Sequence, residues 1–124
     1  MTWGRRLAVF TDLDGTLLSH AEYDWAPARP GIEALRARGV PLVFTSSKTR
    51  SEIERWRDRI GNTDPFISEN GGALWIPADL RLSIAGAVRV GHYDRVEIGT
   101  PYHRLRLALP HLAGVVGVPL RGFA

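Results

Sequence analysis

Short apolar runs alternate along this chain with stretches in which apolar residues recur every three or four positions. Leu7 to Thr11 is a continuous apolar and β-branched run, the pattern of a strand buried on both faces of a parallel sheet. Residues 30–38 read as a helix: Pro30 suits a first helical turn, Ile32 and Leu35 share a face, and Gly39 supplies the left-handed stop. Val40 to Thr45 is a second buried strand. Thr49 and Glu52 then stand at capping-box spacing, and Ile53, Trp56 and Ile60 fall on one helical face ahead of Gly61. Pro65 to Ser68 predicts a short third strand, followed by a Gly-rich turn into "ALWIP". Strand, helix, strand, helix, strand predicts an α/β fold with a parallel sheet.

After Pro77 the pattern changes. "RLSIAGAVRVGHYDRVEIG" predicts two strands with Gly-containing turns, and Thr100-Pro101 is a helix start. Tyr102, Leu105, Leu109 and Leu112 then form one helical stripe, in which Pro110 predicts a kink or an early end. "VPLRGFA" predicts the opening of a further strand, so this part resembles half of a second α/β unit.

Composition narrows the classes. A chain of 124 residues with 44% hydrophobic content holds one globular domain at most. The net charge is only +3 and the basic residues are scattered, which argues for no nucleic-acid partner. With no cysteine there are neither disulfides nor thiolate metal sites. No stretch approaches the roughly 18 apolar residues of a membrane span, and "MTWGRRLAVF" does not resemble a signal peptide. The expectation is a soluble, cytoplasmic protein with no membrane partner. Lys48 is the only lysine among 16 basic residues, which suggests a position that uses a compact point charge, with chance as the alternative.

Candidate chemistry lies where strands end. In parallel sheets ligands gather outside the carboxyl ends of the strands. Asp12 and Asp14, then Thr45 to Lys48, then Glu69 to Gly72 all follow strands, so three loops converge on one edge. Two carboxylates one residue apart can divide phosphoryl transfer between them. One attacks phosphorus, while the other protonates the leaving oxygen and then activates water. Repulsion between carboxylates and a phosphoryl group calls for a divalent cation, and Mg2+ suits oxygen ligands. The alternative is that Asp-Gly marks an ordinary turn. An EF-hand loop is disfavoured because Leu17 stands where that loop needs Gly. Glu69, Asn70 and Gly71 are candidates for lining a substrate pocket, a plain turn being the alternative.

"DLDGTLL" after an apolar strand resembles the first motif of the haloacid dehalogenase superfamily. "SSKTRSEIE", "PFISENGGALWIP" and "GTPYHRLRLALPHLA" resemble its mannosyl-3-phosphoglycerate phosphatase branch, and the likeness covers nearly the whole chain. The resemblance implies a Rossmann-like core over residues 1–80 and the first part of an inserted α/β lid over 81–124. It implies Mg2+-dependent dephosphorylation of mannosyl-3-phosphoglycerate to mannosylglycerate, a small phosphorylated sugar acid being the partner. Glucosyl-3-phosphoglycerate or another sugar phosphate is the alternative substrate. Asp12 would be the nucleophile and Asp14 the acid/base, with the Asp12 carboxylate and the Asp14 carbonyl on the metal. Ser46 would hold the phosphoryl group, and Lys48 would follow as an anion contact.

One departure from the family pattern stands out. Complete members add a later lysine and an acidic Gly-Asp cluster for the metal, and neither occurs here. In that fold the first strand is central, so this chain should leave it as an open edge. The expectation is therefore an N-terminal portion of a longer enzyme, or a truncated product that is inactive and pairs its edge with another copy.

Overall fold

The computed structural model describes residues 7–119 and 121. Strands β1 (Val9–Thr11), β2 (Leu42–Thr45) and β3 (Phe66–Ser68) run parallel, as the alternating pattern predicts. They are joined by helices α1 (Arg29–Ala37) and α2 (Arg50–Ile60). Two crossovers of the same hand stepping in one direction place both helices on the same sheet face. The core agrees, for Ile32 of α1 and Ile53 and Ile60 of α2 join Leu42, Phe44, Phe66 and Trp75 in one cluster. Phe44 and Phe66 are fully buried at its centre, each contributing about 1.5–3 kcal/mol.

The chain then reverses. A tight turn over Glu69–Gly71 returns it as β4 (Ala73–Pro77), antiparallel to β3, with Ser68 opposite Ala73. Strands β5 (Val88–Val90) and β6 (Tyr93–Glu97) form the expected hairpin. It does not stand apart, because β6 is laddered to β4 from Ala73–Glu97 to Pro77–Tyr93. The sheet therefore has six strands in the order β1-β2-β3-β4-β6-β5. Rings of three neighbouring strands interlock on it: Phe66 stacks on Trp75, and Tyr93 meets both edge-on.

Three expectations need correction. Strand β1 is not buried on both faces as its apolar run predicts: it is the edge of the sheet, as the departure from the family pattern predicts, and Phe10 remains 62% exposed. Of the kink or early end expected at Pro110, the early end does not occur: helix α3 (Tyr102–Val116) continues through it. Proline removes one N–H from the ladder, and this helix keeps the flanking turns without it. The stripe of α3 is also not packed as its periodicity predicts, since Tyr102, Leu105 and Leu112 are exposed. The strand expected from "VPLRGFA" falls largely outside the described residues, and Val118 and Pro119 have no regular structure.

Candidate active site

The carboxyl ends of β1, β2 and β3 meet in one open cleft of about 490 Å³, lined by Phe10, Thr11, Asp12, Thr45, Ser46, Ser47, Ile67 and Asn70. Of the residues singled out in the sequence, Asp12, Ser46 and Asn70 therefore line the same cleft. Asp14 and Lys48 lie beside it as a pair, with Nζ 3.2 Å from Oδ2. Glu69 and Gly71 belong to the adjoining turn but do not line the cleft.

Local bonding explains how each group is held. Oδ1 of Asp12 accepts the N–H of Leu13 at 2.7 Å, fixing that carboxylate at the strand end. Leu13 and Leu18 are fully buried and anchor the loop from below, their main chains joined by a 2.8 Å bond from Leu18 N to Leu13 O. Between them Gly15 turns the chain with φ +73°, and its N–H donates to Leu18 O at 2.8 Å. A Cβ at Gly15 would stand 2.3 Å from the His20 ring. Glycine is required here by conformation, while the exposed His20 ring would have to swing aside for any side chain.

The second loop is built around Ser46, which is almost entirely buried. Its N–H donates to Ile67 O at 3.1 Å, extending the β2–β3 ladder past the strands, and its Oγ accepts the N–H of Lys48 at 3.1 Å. Next to it the Thr49 N–H and hydroxyl both donate to Glu52, at 2.9 and 2.8 Å, so the capping box read from the sequence starts α2 directly behind Lys48. These bonds hold the Glu52 carboxyl below its usual range, the main-chain bond contributing most. The Tyr23 ring lies 5.7 Å from Lys48 Nζ, a neighbour that no sequence signal announces.

The third loop supports the second. Glu69 and Asn70 both have left-handed backbone, at φ +54° and +55°, ahead of Gly71 at +95°. Their N–H groups donate to Lys48 O and Ser46 O, each at 3.0 Å.

Two buried side-chain oxygens at this edge have no hydrogen-bond partner, Oδ1 of Asp14 and Oγ1 of Thr45. Each costs about 1–3 kcal/mol if left so, and such exceptions concentrate where a site has work to do. Thr45 and Ser47, like Thr11, line the cleft although only Ser46 was singled out; the signal for them is their position at strand ends. Arg50, at the start of α2, lies over the Trp75 ring at 5.0 Å and pairs with Glu54 at 3.6 Å, and it does not line the cleft. Among the described residues no group of three or more His, Cys, Asp or Glu side chains could hold a metal ion, so His92, His103 and His111 form no such site. Nor is any described helix long and apolar enough to cross a membrane.

Comparison with known proteins decides the family. A model of the haloacid dehalogenase-like hydrolases matches residues 9–80, from the start of β1 to just past β4. The chain belongs to this family. It is 41% identical over 116 residues to a glucosyl-3-phosphoglycerate/mannosyl-3-phosphoglycerate phosphatase of Methanococcoides burtonii, covering 93% of this chain and 43% of that protein. It is 40% identical over 114 residues to a mannosyl-3-phosphoglycerate phosphatase of Pyrococcus furiosus, covering 92% of this chain and 46% of that one. A solved haloacid dehalogenase-like hydrolase from B. subtilis superposes with a TM-score of 0.60 at 15% identity, over 89% of this chain and 34% of that one. The chain thus spans less than half the length of the curated relatives it matches.

Proposed function

We propose that this chain carries the nucleophile and phosphate-binding loops of a Mg2+-dependent phosphatase acting on a glycosylated 3-phosphoglycerate. The observation that carries the reading is the cleft that Asp12 and Ser46 both line, with the Lys48–Asp14 pair at the same sheet edge. The names of the relatives support mannosyl-3-phosphoglycerate as substrate, and the dual name of one of them keeps glucosyl-3-phosphoglycerate as the alternative.

The roles proposed are those the family resemblance implies. The Asp12 carboxylate, held at Oδ1 by the N–H of Leu13, attacks phosphorus. As the new O–P bond forms, the ester O–P bond breaks and Asp14 gives its proton to the departing glycerate oxygen. Water then attacks the aspartyl phosphate, losing a proton to the Asp14 carboxylate and returning Asp12 and inorganic phosphate. Ser46 and Lys48 supply a hydroxyl and a cationic charge where negative charge accumulates.

The donor set fits a hard cation. The Asp12 carboxylate and the Asp14 main-chain carbonyl are oxygen donors on one short loop, which leaves the Asp14 side chain for proton transfer. Magnesium is commonly held by one or two carboxylates together with waters and substrate phosphate. When bound it would neutralise phosphoryl charge, and the Asp12 carboxylate and the Asp14 main-chain carbonyl would hold it.

The proposed partner is a small phosphorylated sugar acid, and the proposed compartment is the cytoplasm. We place the start of the lid at α3, because β6 is laddered to β4 and so extends the core sheet. The test is phosphate release from mannosyl- and glucosyl-3-phosphoglycerate with Mg2+. Asp12→Asn should lower kcat at least about 10³-fold, the scale of losing a nucleophile that forms a covalent intermediate, and a chelator should abolish turnover. Turnover that survives Asp12→Asn intact would overturn the reading.

A further inference from the structure

The turn between β3 and β4 is built in an unexpected way. A chain reversing into an antiparallel strand needs left-handed backbone, and glycine supplies it without penalty. Gly71 does so here, yet Glu69 and Asn70 before it are left-handed as well. Asparagine visits this region with some ease, but glutamate rarely does. Two consecutive non-glycine residues in this conformation persist only when their surroundings over-determine it.

The bonds that over-determine it lead to one place. Glu69 N–H reaches Lys48 O, and Asn70 N–H reaches Ser46 O, both at 3.0 Å. With Ser46 N–H on Ile67 O and Lys48 N–H on Ser46 Oγ, these two bonds complete the fixing of the Ser46–Lys48 segment to the end of β3. The N–H of Asn70 is aimed by the φ and ψ of Glu69, so an extended or helical conformation at residue 69 would turn it away from Ser46 O, and one at residue 70 would redirect the chain from the path into β4 that these bonds hold. The side chain of Glu69, by contrast, is exposed and does not line the cleft.

We propose that Glu69 and Asn70 are positioning residues that act through their left-handed backbone, clamping the Ser46 and Lys48 carbonyls and so setting where that hydroxyl and that ammonium stand against Asp12 and Asp14. This goes beyond a substrate-lining role for the two side chains, and it rests on the phosphatase reading above. Its consequence is a rank order of substitutions that tracks backbone preference, not side-chain chemistry. Glu69→Asn and Glu69→Gly retain access to the left-handed region while deleting the carboxylate. Glu69→Val and Asn70→Val forbid it.

The experiment is steady-state kinetics on the full chain, with hydrogen exchange at the amides of residues 69 and 70 as a readout independent of activity. The valine variants should lose kcat by about 10²-fold, the scale of a misplaced catalytic group, with KM little changed and with lost protection at both amides. Glu69→Asn and Glu69→Gly should stay at least about tenfold above Glu69→Val in kcat and keep amide protection. Should a valine variant fail to fold, the Glu69→Asn comparison with the unaltered protein still decides. A Glu69→Asn or Glu69→Gly loss as deep as that of Glu69→Val, or one that falls on KM, would overturn the proposal in favour of side-chain contact. Valine variants that keep amide protection would overturn it as well. If Asp12→Asn left turnover unchanged, the phosphatase reading would fall instead, while the exchange data would still judge the clamp.

Discussion

Gly15 shows how little freedom single residues have at this edge. At φ +73° and with the His20 ring 2.3 Å from where a Cβ would sit, Gly15→Ala should destabilise by more than about 1 kcal/mol. Chemical denaturation measures this, and adding His20→Ala should relieve the collision but not the backbone cost. Recovery of full stability in the double variant would show that conformation contributes nothing. Lys48 is the second case. Its Nζ is a point charge 3.2 Å from Asp14, so Lys48→Met should lower kcat by about 10²-fold. Lys48→Arg should restore only part of that, because a planar fork does not fill the place of an ammonium. An arginine variant as active as the original chain would show that charge alone matters. Much of this scale was legible in the sequence. Asp12, Ser46 and Asn70 stand in the cleft because strand ends can be read from apolar runs. The Tyr23 and His20 contacts were not legible, since they depend on how a loop folds back and leave no periodic trace.

At the scale of elements, α2 is the piece on which the site depends. Its first turn is closed by Glu52 on Thr49, and Thr49→Ala should cost about 1 kcal/mol in thermal or chemical unfolding. The pH dependence has a definite sign. The Glu52 carboxyl titrates below its usual 4.5 in the folded chain, chiefly through the Thr49 main-chain bond. Its contribution is therefore present above that value and is lost as pH falls through the lower folded value. Glu52→Gln should flatten this acid slope. The far end of α2 is fastened by Arg57, a buried guanidinium that donates to Tyr93 Oη at 3.0 Å and to Asp64 O at 2.8 Å and lies over the Phe66 ring. Arg57→Met should destabilise by about 1.5–3 kcal/mol, the range for hydrogen bonds to a charged group. The Tyr93 phenol is raised above its usual 10.0, mainly by burial. Stability should accordingly decline as pH climbs through the ordinary tyrosine range, because the unfolded chain releases that proton first. The capping box and both helical faces could be read directly from spacing. Arg57 could not, because its position on the sequence resembles that of any solvated arginine between Trp56 and Asp58.

At the scale of the whole described sheet the two edges differ. One is β5, carried by the antiparallel β4, β6 and β5 ladder, and the other is β1, the strand that bears Asp12 at its tip. Sequence alternation foretold the parallel half, but it could not reveal that β6 would join β4, since a hairpin looks the same whether it lies in a core sheet or a separate lid. Nor could it show which apolar stripes remain uncovered, because periodicity reports a face and not its partner. An exposed edge with Phe10 beside it invites pairing with a second copy. The 124-residue chain should therefore self-associate in sedimentation velocity, and Phe10→Lys should shift it toward monomer; an unchanged distribution would count against that edge as the contact. The central claim concerns what β1 delivers to the cleft. Its most direct test is acid quench of the full chain during turnover of mannosyl-3-phosphoglycerate with Mg2+, followed by peptide mass spectrometry. The account predicts one phosphoryl group on Asp12, absent in Asp12→Asn. A turning-over protein whose phosphoryl group sits on another residue, or on none in any quench, would contradict it.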